Sequence, residues 1–223
     1  SDSKSIFKVE NLMARSALLS SLGKKFDLAY LSPKVIFVEG VERNNNRPED
    51  SDVYQKLVDP SITRVKFLAA GSKKDAEIAK EFTSLFFEKI SDLSLNLNIF
   101  ALVDKDNSNN VSGKTLLVTP YNCLENLFLM DFVAIREAAV FFGEKKWTHE
   151  EIEQEIKRLL PAGENLMSCD GKDIIKSLYM SLKKKDKKID CGDRAFLTKV
   201  FMNLRTERLP KTVQKFLTSL KDS

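Results

Sequence analysis

The stretch Val35-Ile36-Phe37-Val38-Glu39-Gly40 places a carboxylate and a glycine directly after an unbroken apolar run. Such a short apolar run reads as a strand buried on both faces, the pattern of a parallel sheet. A second run, from Ile99 to Val103, ends the same way in Asp104-Lys105-Asp106. Two further runs, 65–69 and 116–119, give four short strands separated by helical patterns. The expected fold class is therefore α/β, with a mostly parallel four-stranded sheet and flanking helices. Parallel sheets bind ligands beyond the carboxyl ends of their strands. Acidic groups delivered there by two strands make a concentrated negative site, which divalent cations that prefer oxygen ligands would neutralise. The first expectation is metal-dependent phosphate chemistry.

Outward from these strands, Val9, Leu12, Met13, Leu19 and Leu22 recur at near-helical spacing before Gly23, which predicts an N-terminal helix over 7–22. Pro33 precedes the first strand, expected over 35–39, and an Asn-rich stretch from 41 to 51 reads as a loop before a short helix carrying Val53, Tyr54 and Leu57. Ser72 and Asp75 open a crossover helix whose apolar face is Ile78, Phe82, Leu85, Phe86 and Ile90. A polar loop with Gly113 separates the third and fourth strands, and Pro120 ends the fourth. From Asn122 onward the pattern is helical throughout. Leu124, Leu127, Phe128, Phe132, Ile135 and Ala139 stripe one helix, and Thr148 with Glu151 forms a capping box for the next. Further helices are expected over 171–184, 192–205 and 210–220. The predicted organisation is an N-terminal helical segment (1–32), an α/β core (33–130) and a C-terminal helical region (131–223).

Composition excludes several function classes. The chain has 223 residues, 43% of them hydrophobic and 30% charged, with a net charge of +4. That is globular composition, and no apolar run approaches the roughly 20 residues of a membrane span. A soluble, cytoplasmic protein with no membrane partner is expected. Cys123, Cys169 and Cys191 are too few and too widely spaced for a disulfide framework or a zinc knuckle, and are expected to be reduced and largely buried. The single histidine, His149, leaves Ser-His-Asp catalysis and histidine-based zinc sites without their parts. No glycine-rich phosphate loop ending in Lys-Ser or Lys-Thr is present. Trp147 and Phe141-Phe142 read as core rather than as base-stacking aromatics. The first residue, Ser1, fits either a processed chain or a segment of a longer one. Basic residues gather late, at Lys183-Lys184-Lys185, Lys187-Lys188, Lys199, Arg205, Arg208, Lys211, Lys215 and Lys221. They read either as a wall for a phosphate backbone or as a solvated loop and helix faces.

The order of apolar strand and Glu39-Gly40, an acidic residue heading the next helix, a second strand, and a third strand ending in Asp104-Lys105-Asp106 resembles the TOPRIM domain. That domain occurs in topoisomerases, bacterial primases and the overcoming-lysogenisation-defect (OLD) family of nucleases. The segment Tyr121-Asn122-Cys123-Leu124-Glu125-Asn126 after the fourth strand resembles the OLD-like branch, and with it the TOPRIM effectors of bacterial anti-phage defence that act beside a separate ATPase. The resemblance covers roughly residues 33–130. In that branch a Ser-x-Glu segment adds a carboxylate; here Cys123 stands in the serine position and Glu125 keeps its own.

The resemblance implies a nuclease using Mg²⁺ or Mn²⁺, as two ions, on DNA or RNA, with tRNA among the candidate substrates. It implies metal ligands at Glu39, Asp104, Asp106 and Glu125, with Asp52 as the second acidic position and Glu42, Glu49 and Asp50 as competitors. Lys172, in the weaker extension Gly171-Lys172-Asp173, is the candidate for neutralising charge on the reacting phosphate. A separate ATPase partner and a homodimer are both compatible with this reading. Two alternatives stand beside it: a non-catalytic TOPRIM-like module that docks on nucleic acid or an ATPase, and a nucleotidyl-transferring domain of the primase kind.

Overall fold

The computed structural model describes residues 34–39, 50–71, 76, 78, 98–105 and 116–222 of the chain. Strands β1 (Lys34–Val38), β2 (Val65–Ala69), β3 (Asn98–Val103) and β4 (Leu116–Val118) form one all-parallel sheet in the order β2-β1-β3-β4. The chain leaves β1 toward one neighbour and later returns on its other side as β3. The gap between β1 and β3 is therefore the topological switch point, where open parallel sheets place their ligands. Glu39 follows β1 and Asp104 follows β3, with Val38 level with Leu102 in the register. The expected α/β class and parallel sheet are what the chain adopts. Glu39 itself stands in the bend after β1 rather than inside the strand.

Strand alternation sorts the side chains onto two faces. Val35, Phe37, Leu68, Ile99 and Ala101 share one cluster with Ala76. Ile36, Val38, Val65, Phe67 and Leu102 point the other way, into a larger cluster that takes in helix α1 (Asp50–Val58) and continues through all the C-terminal helices. Helix α1 also seals the edge of β2. The Gln55 side chain donates to the Val65 carbonyl (3.1 Å) and accepts from the Phe67 amide (3.1 Å), pairing backbone groups that an edge strand leaves open. Asp59, just beyond α1, accepts from Ser61 Oγ (2.7 Å) and from the amides of Arg64 (2.7 Å) and Val65 (3.1 Å). Burial alone would raise its pKa, but these bonds outweigh that and hold the carboxyl at about 2.

The C-terminal region comprises α2 (Glu125–Met130), α3 (Phe132–Phe142), α4 (His149–Leu159), α5 (Gly171–Lys185), α6 (Asp193–Asn203), a 3₁₀ turn (Thr206–Arg208) and α7 (Lys211–Asp222). The single helix expected over 124–139 is broken at Asp131. The Asp131 carboxylate caps α3 by accepting from the Ala134 amide (3.0 Å), and its other oxygen takes the Arg205 amide and the Arg208 Nε, each at 3.0 Å. An apolar stripe cannot reveal a break made by a buried cap. The capping box at α4 forms as expected, with Thr148 Oγ1 accepting from the Glu151 amide and Glu151 accepting from the Thr148 amide.

Two surface expectations change. Lys183 to Lys185 lie in the last turn of α5, where positive charge suits the helix dipole, rather than in a loop. Lys183 pairs with Asp190, Lys185 with buried Glu155 and Lys188 with Glu144, so much of the expected basic wall is matched within the protein. Trp147 is buried, as read from the sequence, but Phe141 is 63% exposed, with the Lys199 ammonium 3.8 Å from its ring centre. Cys123 and Cys169 are buried, Cys191 is half-buried, and all three are free thiols. The helix predicted over 7–22, the Asn-rich stretch 41–49, the crossover helix beyond helical Ala76 and Ile78, and the loop around Gly113 lie outside the described residues.

Asp131 is the buried anion that joins α2, α3 and the turn before α7. Replacing it with alanine strands Arg208 and several amides, and Asp131→Ala is expected to lower the unfolding free energy by about 3 kcal/mol in a urea titration. An unchanged midpoint would show that the network is dispensable.

Candidate functional site

The site gathers at the carboxyl ends of β1 and β3. Glu39 and Asp104 are both half-buried, each one residue beyond its strand. Two helices bring further carboxylates by their first residues: Asp50 opens α1 and Glu125, 8% exposed, opens α2. A helix N-terminus carries partial positive charge, which favours an acid in its first turn. Asp104 feels the whole group. Burial first, then repulsion from Glu39, Asp50 and Glu125, pushes its carboxyl up to about 8, and Lys172 draws it back only partly.

Helix geometry separates the two acids of α1. Asp50 and Tyr54 are four residues apart and share a face, and both act on the groups around Asp104. Asp52 is two residues on, close to the opposite side of the helix, and is exposed. Asp50, one of the named competitors for the second acidic position, is thus the acid of this turn whose charge acts on Asp104, whereas Asp52 lies on another side of the helix. Glu42, Glu49 and Asp106 lie outside the described residues.

Lys172 comes to the cluster from the start of α5. Burial weakens its positive charge, but Glu125, Cys123, Asp104 and Asp50 outweigh that and raise its pKa above the ordinary lysine value. Its placement follows from a tight docking of two loops. The Asn126 side chain, fully buried, accepts from the Cys123 amide (2.8 Å) and thiol (3.1 Å) through its oxygen, and donates to the carbonyls of Leu166 (2.8 Å) and Cys169 (3.2 Å) through its nitrogen. Asn122 adds a bond from its amide to the Met167 carbonyl at 3.0 Å. Gly171 then sits so close that a Cβ there would fall 2.8 Å from the Asn126 amide nitrogen and 2.9 Å from its side-chain oxygen. Asp170 caps α5 by accepting from the amides of Lys172 (3.0 Å) and Asp173 (3.2 Å).

Cys123, in the position where the resemblance has serine, lies within the same field. Burial, then Glu125 and Asp104, push its thiol up to about 12, so it is a neutral thiol at physiological pH rather than a nucleophile. Beneath the carboxylates the phenols of Tyr54 and Tyr121 are hydrogen-bonded at 3.0 Å. Sequence reading did not single out Tyr54, Tyr121 or Asn126 for a role. The available signals were Tyr54 one turn below Asp50 and a polar Asn126 inside the apolar stripe of Leu124, Leu127 and Phe128.

The donor set is oxygen throughout, anionic and crowded, which suits Mg²⁺ or Mn²⁺ in type and charge. Among the described residues, no three such side chains are already drawn together as an ion cage. Unlike them, His149 is exposed at the start of α4, lining a separate cleft of about 370 Å³ with Met130, Met167 and Arg208.

The metal-free protein should show the strain of this cluster as a pH dependence. Folded Asp104 keeps its proton up to about pH 8, whereas an unfolded aspartate releases it near pH 4. Its contribution to stability is therefore complete below about pH 4 and is lost as pH rises through about 8. Asp104→Asn stays neutral throughout, so in EDTA its melting temperature is expected to exceed that of the wild type at pH 9, with the gap closing toward pH 5. Parallel melting curves across that range would contradict the crowding. Gly171→Ala is expected to destabilise the chain and to disturb Lys172, read as a lower melting temperature together with weaker retention of anions at the site.

No protein-family model matches the chain, and no curated protein is significantly similar to it. Among solved structures it is similar to the C-terminal region of the Burkholderia pseudomallei OLD protein, at 12% identity, covering 85% of this chain and 97% of that one, with a TM-score of 0.42.

Proposed function

We propose that this chain is a TOPRIM-type, metal-dependent nuclease that hydrolyses phosphodiester bonds of DNA or RNA. The observation that carries this reading is the half-buried carboxyl of Asp104 at the sheet's switch point, crowded by Glu39, Asp50 and Glu125 and faced by Lys172. So much negative charge on one spot is costly in a folded protein unless a cation shares it.

Glu39, Asp50, Asp104 and Glu125 would hold Mg²⁺ or Mn²⁺, with Asp106 added on the resemblance. Such ions would supply an activated water and would stabilise the leaving oxygen of an in-line displacement. The chain's own residues do the rest. Asp104, protonated near neutral pH without a cation, gives up its proton as the site fills, so metal uptake releases a proton and tightens as pH rises toward 8. The Lys172 ammonium neutralises a phosphate oxygen and gains most where negative charge develops. Asn126 and Gly171 hold the start of α5 in place and so position that ammonium.

A tRNA substrate, a separate ATPase partner, a role in anti-phage defence and a cytoplasmic setting rest on the sequence resemblance. No helix of the described residues is long and apolar enough to cross a membrane. One observation favours the second reading, a non-catalytic module docking on an ATPase or nucleic acid: no three ligands among the described residues are already drawn together as an ion cage. Metal affinity separates the two readings, because a module without catalysis has no need of the ions.

The test is cleavage of plasmid DNA, linear DNA and total tRNA with Mg²⁺ or Mn²⁺. Glu39→Ala, Asp50→Ala and Asp104→Ala are expected to abolish cleavage while remaining folded, and Lys172→Ala to slow it about 100-fold. Asp52→Ala is expected to cut normally. Full activity in Asp104→Ala would sink the nuclease reading, and loss in Asp52→Ala with retention in Asp50→Ala would reverse the choice made on α1.

A further inference from the structure

Asp50 and Asp104 stand on different elements, and the contact joining those elements lies beneath them. Tyr54 is one turn along α1 from Asp50, on the same face. Tyr121 belongs to the turn that clasps the end of β3 on both sides of Asp104. The Thr119 amide donates to the Val103 carbonyl (3.0 Å), and the Lys105 amide donates to Thr119 Oγ1 (3.1 Å) and to the Tyr121 carbonyl (3.4 Å). Thr119 Oγ1 in turn donates to the Tyr121 carbonyl at 2.6 Å, which locks the turn. Asp104 is thus held by backbone bonds before and after it to residues 119–121, and Tyr121 reaches from there to Tyr54 by the 3.0 Å hydroxyl bond.

Both phenols are held in place by neighbouring rings. Tyr54 stacks on Phe67 of β2 with centroids 5.7 Å apart, and Phe216 of α7 meets Tyr121 edge-on at 6.3 Å. Tyr121 is fully buried and Tyr54 is 3% exposed. A hydroxyl pair in such surroundings is expensive to leave half-made and therefore acts as a fixed strut.

We infer that the Tyr54–Tyr121 hydroxyl pair is a positioning device that sets the separation of the Asp50 and Asp104 carboxylates, and with it the affinity of the divalent-ion site they would form. The inference rests on the metal-dependent reading proposed above. Neither tyrosine touches substrate in this role; the pair acts through the carboxylates.

The experiment is a Mn²⁺ titration of the full chain, followed by calorimetry and by the loss of the free-ion electron paramagnetic resonance signal, with melting temperatures measured alongside. Tyr54→Phe and Tyr121→Phe keep the rings and remove one hydroxyl each. Each is expected to lower the melting temperature and to weaken Mn²⁺ binding about tenfold, the scale seen when supports behind metal ligands are removed. The double variant leaves no hydroxyl stranded, so most of the melting temperature should return while the weakened Mn²⁺ affinity persists. Affinity that recovers together with stability, or single variants that bind as the wild type does, would overturn the positioning role. A wild-type chain with no Mn²⁺ binding sensitive to Asp104→Asn overturns the metal reading itself, a result visible before any tyrosine variant is measured.

Discussion

Like charge crowded at the end of a parallel sheet is the constraint on which the rest of this structure depends. Burial, together with the charges of Glu39, Asp50 and Glu125, keeps Asp104 mostly protonated at neutral pH, and the chain offers Lys172 as partial relief. Three responses are open to such a site: keep a proton, hold a lysine close, or take up a metal ion. A divalent ion would remove the repulsion more completely, because it brings two positive charges to the acids that surround Asp104.

The surroundings of the cluster can be understood as the means of holding it together. Repelling carboxylates spread apart unless the elements bearing them are fixed, and each one here is. Asp104 is clasped by the turn at Thr119 to Tyr121, and Asp50 stands on a helix whose Gln55 and Tyr54 are bonded to β2 and to Tyr121 respectively. Glu125 opens a helix whose next residue, Asn126, is bonded on every side. Among the described residues, buried Thr119 and Asn126 thus oppose an electrostatic force, while buried Asp131 caps a helix. Buried carboxylates elsewhere show the contrasting case. Hydrogen bonding from Arg158 leads the contacts that hold Glu155 at about 2 despite its burial, and Asp59 stays low through Ser61 and two amides. Those acids have donors, whereas Asp104 has mainly other acids around it.

The sheet was legible because four apolar runs have a single common explanation, and Glu39 and Asp104 were legible because charge directly after such a run must emerge at an edge. Asp50 was harder. Choosing between two acids in one helical turn requires the rotation of the helix about its axis, and that rotation is set by which of Val53, Tyr54 and Leu57 face the sheet, a tertiary fact. The break at Asp131 was invisible for a related reason: the apolar stripe continues across it, and the cap depends on Arg205 and Arg208 more than seventy residues later. The pairing of the basic run could not be read in advance because sequence shows lysines but not the acids that meet them, and Glu144, Glu155 and Asp190 come from three different segments.

The C-terminal helices are part of the site's wall as much as a cover for the sheet. They supply Lys172 through the docking of Gly171 on Asn126, and Phe216 against Tyr121. They also grip α1, since the Lys56 ammonium donates to the carbonyls of Phe201 and Met202, and Thr206 Oγ1 donates to the Leu57 carbonyl at 2.9 Å. Burial and the neighbouring Arg205 and Arg208 bring Lys56 down to about 8. An α/β unit cut at residue 130 would keep the carboxylates and lose the cation that faces them, one ring that steadies the tyrosine pair, and the contacts that fix the helix bearing Asp50. Such a fragment would carry more repulsion and less restraint than the whole chain, which is why the acidic end of this sheet and the helices wrapped beside it make physical sense only together.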